Sequence, residues 1–309
     1  MTDFSAIRIS AQVQDALREQ RPVLALESTI FTHGLPRPRN LAVAMEAEVS
    51  LREAGVQPAT IGVVDGEAVV GLSESEIERL AAADDNVKIS IRDLPIAMAR
   101  GLSGGTTVAA TALLAHAAGI QVFSTGGLGG VHREASVTFD ESADLLALST
   151  TPILVVSAGV KSILDVGATL ERMETLNIGV LGYRTHAFPG FYVRDSGFRI
   201  EYRVDTPEEA ADVVTMRDRL RLPSAVLLAN PVAEELQLDP RTHQTVLVEA
   251  LAEAAALGIA GNDTTPFLLD YVQRATGGES LEVNVNVYRG NVALGGQVAS
   301  VLAERARLG

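Results

Sequence analysis

The sequence of 309 residues contains no cysteine and no tryptophan, and aromatic residues make up only 4% of it. Without cysteine there is no thiolate nucleophile, no disulfide, and no cysteine-ligated zinc or iron–sulfur centre. A chain of this length buries roughly three quarters of its unfolded surface, so its core needs no disulfide. Any nucleophile must therefore come from serine, threonine, lysine or a carboxylate.

Basic residues are outnumbered, 25 against 39 acidic ones, which gives a formal net charge of −14. Such a chain repels the phosphate backbone of nucleic acids, so we expect no nucleic-acid partner. Long apolar runs are also lacking, since none approaches the roughly 20 residues that cross a bilayer. The first residues do not read as a secretory signal. We expect a cytoplasmic protein with no membrane partner, acting on a small molecule.

Lysine is the scarcest charged residue type, because only Lys88 and Lys161 occur among the 25 basic residues. An arginine-rich composition is typical of GC-rich genomes, so two leftover surface lysines are one interpretation. The other is that arginine cannot serve at these two positions. Lysine can lose its proton when desolvated and attack a carbonyl, whereas arginine stays charged. The count alone leaves both interpretations open.

Short, continuously apolar segments alternate with helical segments along the whole chain. The predicted strands are residues 23–26, 59–64, 122–124, 153–156, 180–182 and 225–228. Continuous rather than alternating apolar strands are typical of a sheet covered on both faces. The pattern predicts an α/β fold, a three-layer α/β/α sandwich around a central mixed, largely parallel sheet. We predict a single domain over residues 1–309, with a division into two near residues 185–205 as the alternative.

Capping signals mark several helix boundaries. The predicted amino-terminal caps are Asn40, Ser73 in a capping box with Glu76, and Thr206 and Asp239, each followed by proline. The helix after Asn40 is predicted to end before Gly55. Residues 291–308 predict a last helix.

Two stretches are rich in glycine: one follows a predicted strand, and the other precedes a predicted helix. Residues 124–133, STGGLGGVHR, match neither the dinucleotide-binding nor the P-loop fingerprint. Tight turns with positive φ explain some of these glycines, and a backbone brought close to a ligand is the alternative. Residues 104–107, GGTT, precede a predicted helix that begins at Val108. They predict either an ordinary helix cap or a phosphate site at the positive end of that helix.

An amine and a carboxylate lie close to predicted strand ends, and two further carboxylates are spaced one helical turn apart. Lys161 follows the strand at 153–156, at the sheet edge where open α/β sheets bind ligands. Glu27 directly follows residues 23–26, and a carboxylate there is costly to bury unless it is paired or functional. Asp140 and Asp144, spaced one helical turn apart, suit Mg²⁺ or Mn²⁺, with a solvated helix face as the alternative.

Ordered motifs over nearly the whole chain resemble the pseudouridine-5′-phosphate glycosidase family, also called indigoidine synthase A-like. The matching segments are ALESTIFTHGLPRPRN at 25–40, PATIGVVDG at 58–66, VGLSESEIERLA at 70–81, KISIRDLP at 88–95, GGTTVAAT at 104–111, VFSTGGLGGVHR at 122–133, FDESADL at 139–145, SAGVKSILD at 157–165, ANPVAEE at 229–235, TPFLL at 265–269 and SLEVNVNV at 280–287.

This resemblance implies an α/β/α homotrimer that reversibly splits the C–C glycosidic bond of pseudouridine 5′-phosphate into uracil and ribose 5-phosphate. It implies that Lys161 forms a Schiff-base adduct with C1′ of the opened ribose and that Glu27 transfers protons. It also implies that Asp140 holds one divalent metal, Mn²⁺ or alternatively Mg²⁺. The substrate-binding residues that we expect are Lys88, Thr107, Val108, His132, Ser142, Ala143, Asp144 and Asn284.

The residue types fit this chemistry. Ordinary glycosidases use two carboxylates to expel a heteroatom, whereas a C-glycoside must expel a carbon. An amine that bonds to C1′ opens the sugar and makes that cleavage accessible. The chain departs from the family pattern at Ile91, Ala233 and Asn262, which puts phosphate affinity and loop closure in question.

Two other functions remain open from the sequence. Another Schiff-base enzyme, such as an aldolase-type lyase acting on a sugar phosphate, would use the same lysine. A non-catalytic binder of a nucleotide or sugar phosphate is the alternative from a different class. Lys161 and Glu27 disfavour the binder, which needs no amine at a desolvated strand end.

Overall fold

The computed structural model describes residues 6–259 and 264–308, so Asn262 lies outside the described residues. Within these ranges the strands are β1 (Ile7–Ile9), β2 (Val23–Leu26), β3 (Gln57–Val64), β4 (Glu67–Val70), β5 (Val87–Ile89), β6 (Gly104–Thr106), β7 (Val122–Ser124), β8 (Leu154–Ser157), β9 (Gly179–Tyr183), β10 (Tyr202–Val204) and β11 (Val226–Ala229). The helices are α1 (Ala11–Arg18), α2 (Arg39–Glu53), α3 (Glu74–Ala82), α4 (Leu94–Ala99), α5 (Val108–Ala117), α6 (Ala135–Thr138), α7 (Ala143–Ser149), α8 (Val166–Thr175), α9 (Pro207–Arg219), α10 (Pro240–Ala256), α11 (Thr264–Ala275) and α12 (Glu279–Leu308).

The strands of the described ranges join in one mixed sheet. Its order is β1-β4-β3-β2-β7-β8-β11-β9-β10, with β6 paired to β3 and β5 paired to β6. The β3–β4 and β3–β6 pairs are antiparallel, and the other pairs are parallel. The carboxyl ends of β2, β7, β8 and β11 therefore meet at one edge of the sheet.

Helices cover both faces of this sheet, which confirms the predicted three-layer α/β/α fold. Successive residues of one strand enter different cores: Ala25 packs with Val13 of α1, whereas Leu24 and Leu26 pack against α2 and α12. Because a strand points its side chains alternately to opposite faces, both faces of β2 must be apolar. This is why the strand reads as a continuous apolar run in the sequence.

The structure confirms most predicted caps and corrects one. Ser73 forms a capping box with Glu76, and Thr206 and Asp239 accept hydrogen bonds from the first turns of α9 and α10. Asn40 does not cap α2, because that helix already includes Arg39. The Asn40 amide is buried and donates instead to the carbonyls of Phe31 (2.8 Å) and Ala81 (3.0 Å).

Helix α12 is longer than predicted, since it begins at Glu279, well before residue 291. Its 30 residues run across the sheet and contact β2, β7 and β8. In the described ranges no helix combines the length and the apolar character needed to cross a membrane. Strand β9, which precedes residues 185–205, pairs in the same sheet with β10, which lies near the end of that range. The single domain stays a prediction.

Candidate active site

Three neighbouring parallel strands end at the same edge of the sheet, and each is followed by a polar residue. Glu27 directly follows β2, Thr125 directly follows β7, and Lys161 lies four residues after the end of β8. Since β7 lies between β2 and β8 in the sheet, Thr125 stands between the carboxylate and the amine. This is the edge at which open α/β sheets form their ligand sites.

Glu27 is a buried carboxylate held by two hydroxyl groups. Its side chain is 7% exposed, and the hydroxyls of Thr29 and Thr125 both donate hydrogen bonds to it. Burial raises the pKa of Glu27 above its ordinary value, although the two hydroxyls and the charge of Lys161 oppose the shift. A carboxyl group with a raised pKa can hold a proton closer to neutral pH, as a proton-transfer residue must.

Lys161 lies in an irregular segment that is fastened to the glycine-rich loop, defined here as residues 124–133. The Lys161 backbone N–H donates to the Leu128 carbonyl (3.2 Å), and the Leu128 N–H donates to the Gly159 carbonyl (3.0 Å). The Lys161 side chain is partly exposed, whereas the next three residues are buried. The amine is thus presented at the sheet edge by backbone hydrogen bonds between two loops.

Lys88 brings a second ammonium group to the same cleft. It lies on β5, and its side chain is accessible although much protein surrounds it. This surrounding protein and the charge of Lys161 lower the pKa of Lys88, whereas the carboxylates of Asp144 and Glu27 raise it. Lys88, Lys161, Glu27 and Asp144 therefore form one electrostatic cluster.

The structure does not place Asp140 and Asp144 on one helix face, which corrects the predicted one-turn spacing. Helix α7 begins at Ala143, with Ser142 as its cap, so Asp140 precedes the helix. Asp144 is buried, and its two carboxylate oxygens accept hydrogen bonds from the N–H groups of Ala109 (3.0 Å) and Gly129 (2.9 Å). This carboxylate joins the start of α5 to the glycine-rich loop and is not a solvated surface group.

The start of α5 keeps donors that face no protein acceptor. Thr107 occupies the cap position, but its side chain makes no capping hydrogen bond. The Thr107 hydroxyl is buried without a partner among the described residues. In contrast, the neighbouring Thr106 hydroxyl donates to the Ile61 carbonyl (2.8 Å). Because the first N–H groups of a helix lack intrahelical partners, the N–H of Val108 adds a further donor beside Thr107.

The glycines at 126, 127, 129 and 130 all lack a left-handed backbone, and close packing explains Gly127, Gly129 and Gly130. A Cβ on Gly127 would lie 2.6 Å from the Phe191 ring, and one on Gly129 would overlap the Ser142 hydroxyl. The prediction of tight turns with positive φ is therefore wrong here. The groups that approach this backbone are side chains of the protein itself.

Helix α12 aligns two asparagines along the glycine-rich loop. Asn291 is fully buried, and its amide donates to the carbonyls of Thr125 (2.8 Å) and Gly126 (3.2 Å). Asn284 lies two turns earlier, and its amide oxygen faces the α-carbon of Gly126. The helix therefore fixes both the loop that carries Thr125 and the position of Asn284.

His132 and Asp140 lie at the outer end of the glycine-rich loop. The His132 N–H donates to the Asp140 carbonyl (3.0 Å), and the His132 ring nitrogen lies 3.8 Å from the Asp140 carboxylate. Glu141 pairs with Arg172 (2.8 Å) instead. In the described ranges no three metal-ligating side chains converge. One carboxylate fits a hard divalent ion that keeps most of its water ligands, as Mg²⁺ and similar ions do.

The structure adds several candidate site residues that the sequence did not single out. Thr29 and Thr125 contact Glu27, and Asn291 holds the glycine-rich loop. His33 lies near Lys88, whose charge, together with burial, lowers the pKa of His33. His33 belongs to a π-helical turn, Ile30–Gly34, a geometry that is frequent at functional sites. The only signal for Asn291 was an amide within an otherwise apolar helical stretch.

Comparison with known proteins relates the whole chain to one family. The family model described as indigoidine synthase A like protein matches residues 12–301. The pseudouridine-5′-phosphate glycosidase of Saccharopolyspora erythraea is 64% identical over 96% of this chain and 97% of its own length. The pseudouridine-5′-phosphate glycosidase of Salinispora tropica is 54% identical over 97% of this chain and 93% of its own length.

Two solved structures share the fold over nearly their full length. The prealnumycin C-glycosynthase AlnA, in complex with ribulose 5-phosphate, has a TM-score of 0.92 and 37% identity, covering 99% of this chain and 100% of that protein. An indigoidine synthase A-like protein from Thermotoga maritima has a TM-score of 0.88 and 35% identity, covering 98% and 99% of the two chains.

Proposed function

Because the chain belongs to the indigoidine synthase A-like protein family, we propose that it is a pseudouridine-5′-phosphate glycosidase. It would convert pseudouridine 5′-phosphate and water into uracil and ribose 5-phosphate, reversibly. The observation that carries this proposal is the presence of Glu27 and Lys161 after two parallel strands of one sheet edge, with Lys88 in the same electrostatic cluster. The names of the relatives support the same activity.

Lys161 supplies the nucleophile in this proposal. Its neutral amine bonds to C1′ while the bond from C1′ to the ring oxygen breaks, and the ring oxygen takes a proton. The nitrogen lone pair then forms a C=N bond to C1′ as the bond from C1′ to uracil breaks. The departing electron pair stays on the uracil carbon, which takes a proton. Water finally hydrolyses the Schiff base and releases ribose 5-phosphate.

Glu27 moves the protons in these steps. Its buried carboxyl has a raised pKa, so it can donate a proton to the ring oxygen or the uracil carbon and recover one from the amine. The hydroxyls of Thr29 and Thr125 hold the carboxylate in place when it is ionised. Exclusion of water around Glu27 strengthens each of these interactions.

The phosphate binds between Lys88 and the start of α5. Lys88 contributes a compact positive charge, and Thr107 and Val108 contribute a hydroxyl and an N–H at the positive end of a helix. The N–H of Ala109 is not available, since it already donates to Asp144. Ser142, Ala143 and Asp144 form the adjoining wall at the start of α7.

The uracil lies toward α12 and the outer end of the glycine-rich loop. Asn284 carries both a donor and an acceptor, as the edge of a pyrimidine requires. His132, at the outer end of this loop, offers a ring that can contact the base or the ribose.

A divalent ion, Mn²⁺ or Mg²⁺, would bind to Asp140 and water. When bound, it would supply positive charge close to the phosphorylated sugar. The protein group that would hold it is the Asp140 carboxylate, which lies 3.8 Å from the His132 ring nitrogen. We also propose a homotrimer, which light scattering on the eluted protein would test as three times the chain mass of 32.6 kDa.

The reverse direction is a second candidate function. The neighbour AlnA is named a C-glycosynthase and was solved with ribulose 5-phosphate. A Schiff base on Lys161 could equally accept a carbon nucleophile, which would form a C–C bond. Incubation of the protein with ribose 5-phosphate and uracil, followed by detection of pseudouridine 5′-phosphate, measures this direction.

The direct test of the proposal is uracil release from pseudouridine 5′-phosphate in the presence of Mn²⁺. We expect release from the phosphorylated nucleoside, strongly reduced release from pseudouridine, and loss of release after chelation of the metal. Lys161→Ala should abolish turnover. Absence of uracil with the folded wild-type protein would contradict the proposed function and favour another Schiff-base reaction or a binding protein.

A further inference from the structure

A buried histidine contacts the residue that follows the proposed nucleophile. His243 lies in the first turn of α10, and its ring Nε2 is 2.9 Å from the hydroxyl of Ser162. Both side chains are buried, at 7% and 5% exposure. The two residues are far apart in the sequence, so the contact exists only because α10 packs against the loop that carries Lys161. Nothing in the proposed reaction uses this pair directly.

The loop that carries Lys161 needs support from outside itself. Residues 161–164 form neither a helix nor a strand, and Asp165 forms only an isolated bridge with Val131, so no continuous ladder of hydrogen bonds fixes this backbone. The Lys161 N–H is fixed by the Leu128 carbonyl (3.2 Å). Beyond Lys161, the carbonyls of Ser162 (3.2 Å) and Ile163 (3.3 Å) accept hydrogen bonds from the Arg133 guanidinium. The Asp165 N–H donates to the Val131 carbonyl (2.9 Å) at the far end of the segment. The Ser162 hydroxyl adds a side-chain attachment, through its contact with His243.

The surroundings of His243 suit a neutral, fixed ring. The Tyr192 ring packs beside it, with centroids 6.0 Å apart, and the Tyr192 carbonyl accepts a hydrogen bond from Leu238 just before α10. Burial and the positive charge of Arg133 lower the pKa of His243. A neutral imidazole with one donor and one acceptor nitrogen can bond the hydroxyl without bringing a charge next to the amine.

We propose that His243 is a positioning residue for Lys161 that acts through Ser162. The inference rests on the proposed function, in which Lys161 is the nucleophile. Ser162 is buried against His243 of α10, whereas Lys161 is partly exposed. A hydrogen bond that fixes Ser162 therefore fixes the backbone that aims the amine. A displacement of about 1 Å at a reacting group is enough to lower a rate by roughly 100-fold.

The test is a double-mutant cycle on uracil release, with His243→Ala, Ser162→Ala and the double variant. We expect each single variant to lower kcat by about tenfold while KM changes by less than about threefold, because the substrate contacts are untouched. The double variant should lose no more than either single variant, since both remove the same hydrogen bond. His243→Gln, which can offer an amide close to the Nε2 position, should recover most of kcat.

A matched control is the exposed His186, whose ring nitrogen lies 3.3 Å from the Ile200 carbonyl. His186→Ala should leave kcat unchanged. If His243→Ala does not fold, Ser162→Ala and His243→Gln carry the test, with melting temperatures measured for both. Additive losses, an unchanged kcat for Ser162→Ala, or an effect confined to KM would overturn the positioning role and leave the proposed function intact. A folded wild-type protein that releases no uracil would overturn both.

Discussion

Glu27 combines two features that normally oppose each other, deep burial and the ability to ionise. Burial raises its pKa, whereas hydroxyls from Thr29 and Thr125 and the charge of Lys161 favour the carboxylate. A buried carboxyl group is destabilising in its charged form unless partners offset the loss of water. In the proposed mechanism, the loss of stability from burying this carboxyl group accompanies its capacity to move protons.

The melting temperature of Glu27→Gln, measured as a function of pH, should show the effect of burying this carboxyl group. The pKa of Glu27 is higher in the folded protein than in the unfolded chain, so between these two values the folded protein binds more protons. The stability of the wild-type protein therefore falls as pH rises through this window. Glutamine does not titrate, so the melting temperature of the variant relative to wild type should increase from pH 4 to pH 8. Its turnover should be lost.

Glu46 provides a control of opposite sign. Its hydrogen bond with Arg289 (2.7 Å) lowers its pKa, so its contribution to stability is lost as pH falls through the folded-state pKa. Glu46→Gln should therefore become less stable relative to wild type as pH rises. A Glu27→Gln melting temperature that falls relative to wild type as pH rises would contradict the raised pKa of Glu27.

Thr107 and Thr106 make a matched pair of adjacent hydroxyls. Thr107→Val removes a buried hydroxyl without a protein partner, so we expect stability to stay level or rise by up to about 1 kcal/mol. It should raise KM for the phosphorylated substrate by roughly tenfold. Thr106→Val breaks a bond to the Ile61 carbonyl and should cost about 1–2 kcal/mol. Denaturant unfolding and steady-state kinetics measure both, and an unchanged KM for Thr107→Val would remove Thr107 from the phosphate site.

Individual residues were predictable where their chemistry conflicted with a simple structural role. A carboxylate after an apolar strand and two lysines among 25 basic residues pointed to Glu27, Lys161 and Lys88. Thr125 carried no such signal, because its bond to Glu27 spans 98 residues and depends on the order of the strands. The sequence does not state that order.

At the scale of elements, the glycine-rich loop is shaped by the side chains that press against it. Gly129 lies against the Ser142 hydroxyl and 2.8 Å, measured to an added Cβ, from the Asp144 carboxylate. The sequence predicted a special backbone here, but positive φ is the wrong explanation, since close packing also favours glycine. Only the packing of α7 against this loop shows that close packing, and not positive φ, requires glycine here. The approach of a ligand to this backbone stays a prediction.

Gly129→Ala should therefore be more harmful than an ordinary glycine substitution. The added methyl group must displace Ser142 and Asp144, so we expect a loss of about 1–3 kcal/mol of stability together with reduced turnover. Gly179→Ala is the control, because the nearest atom to its added Cβ lies at 3.8 Å. Unfolding midpoints that are equal for the two variants would contradict the close packing of Gly129.

Helix boundaries were largely predictable, because a cap is a local feature. The capping box at Ser73 and the Thr206 and Asp239 caps need only residues within one turn. Asn40 was misassigned since its amide serves distant carbonyls at Phe31 and Ala81. Its side chain has the chemistry of a cap, but the structure uses it to tie α2 to other segments.

At the scale of the whole molecule, one sheet edge collects groups from the entire chain. Glu27 comes from the first quarter, Lys161 from the middle, and Asn291 from the last helix. Continuous apolar strands predicted a doubly covered sheet, and the two cores on its faces confirm it. The sequence predicted the kind of fold and its chemically unusual residues, whereas the contacts among them follow from strand order and from the packing of α12.

The proposed mechanism depends on a covalent bond between Lys161 and C1′ of the sugar phosphate. Its most direct measurement is borohydride reduction of the protein with ribose 5-phosphate, followed by intact-mass and peptide mass spectrometry. We expect one reduced ribose 5-phosphate adduct per chain, located on Lys161 and absent from Lys161→Ala. An adduct on Lys88 alone, or no adduct during demonstrated uracil release, would contradict Lys161 as the nucleophile.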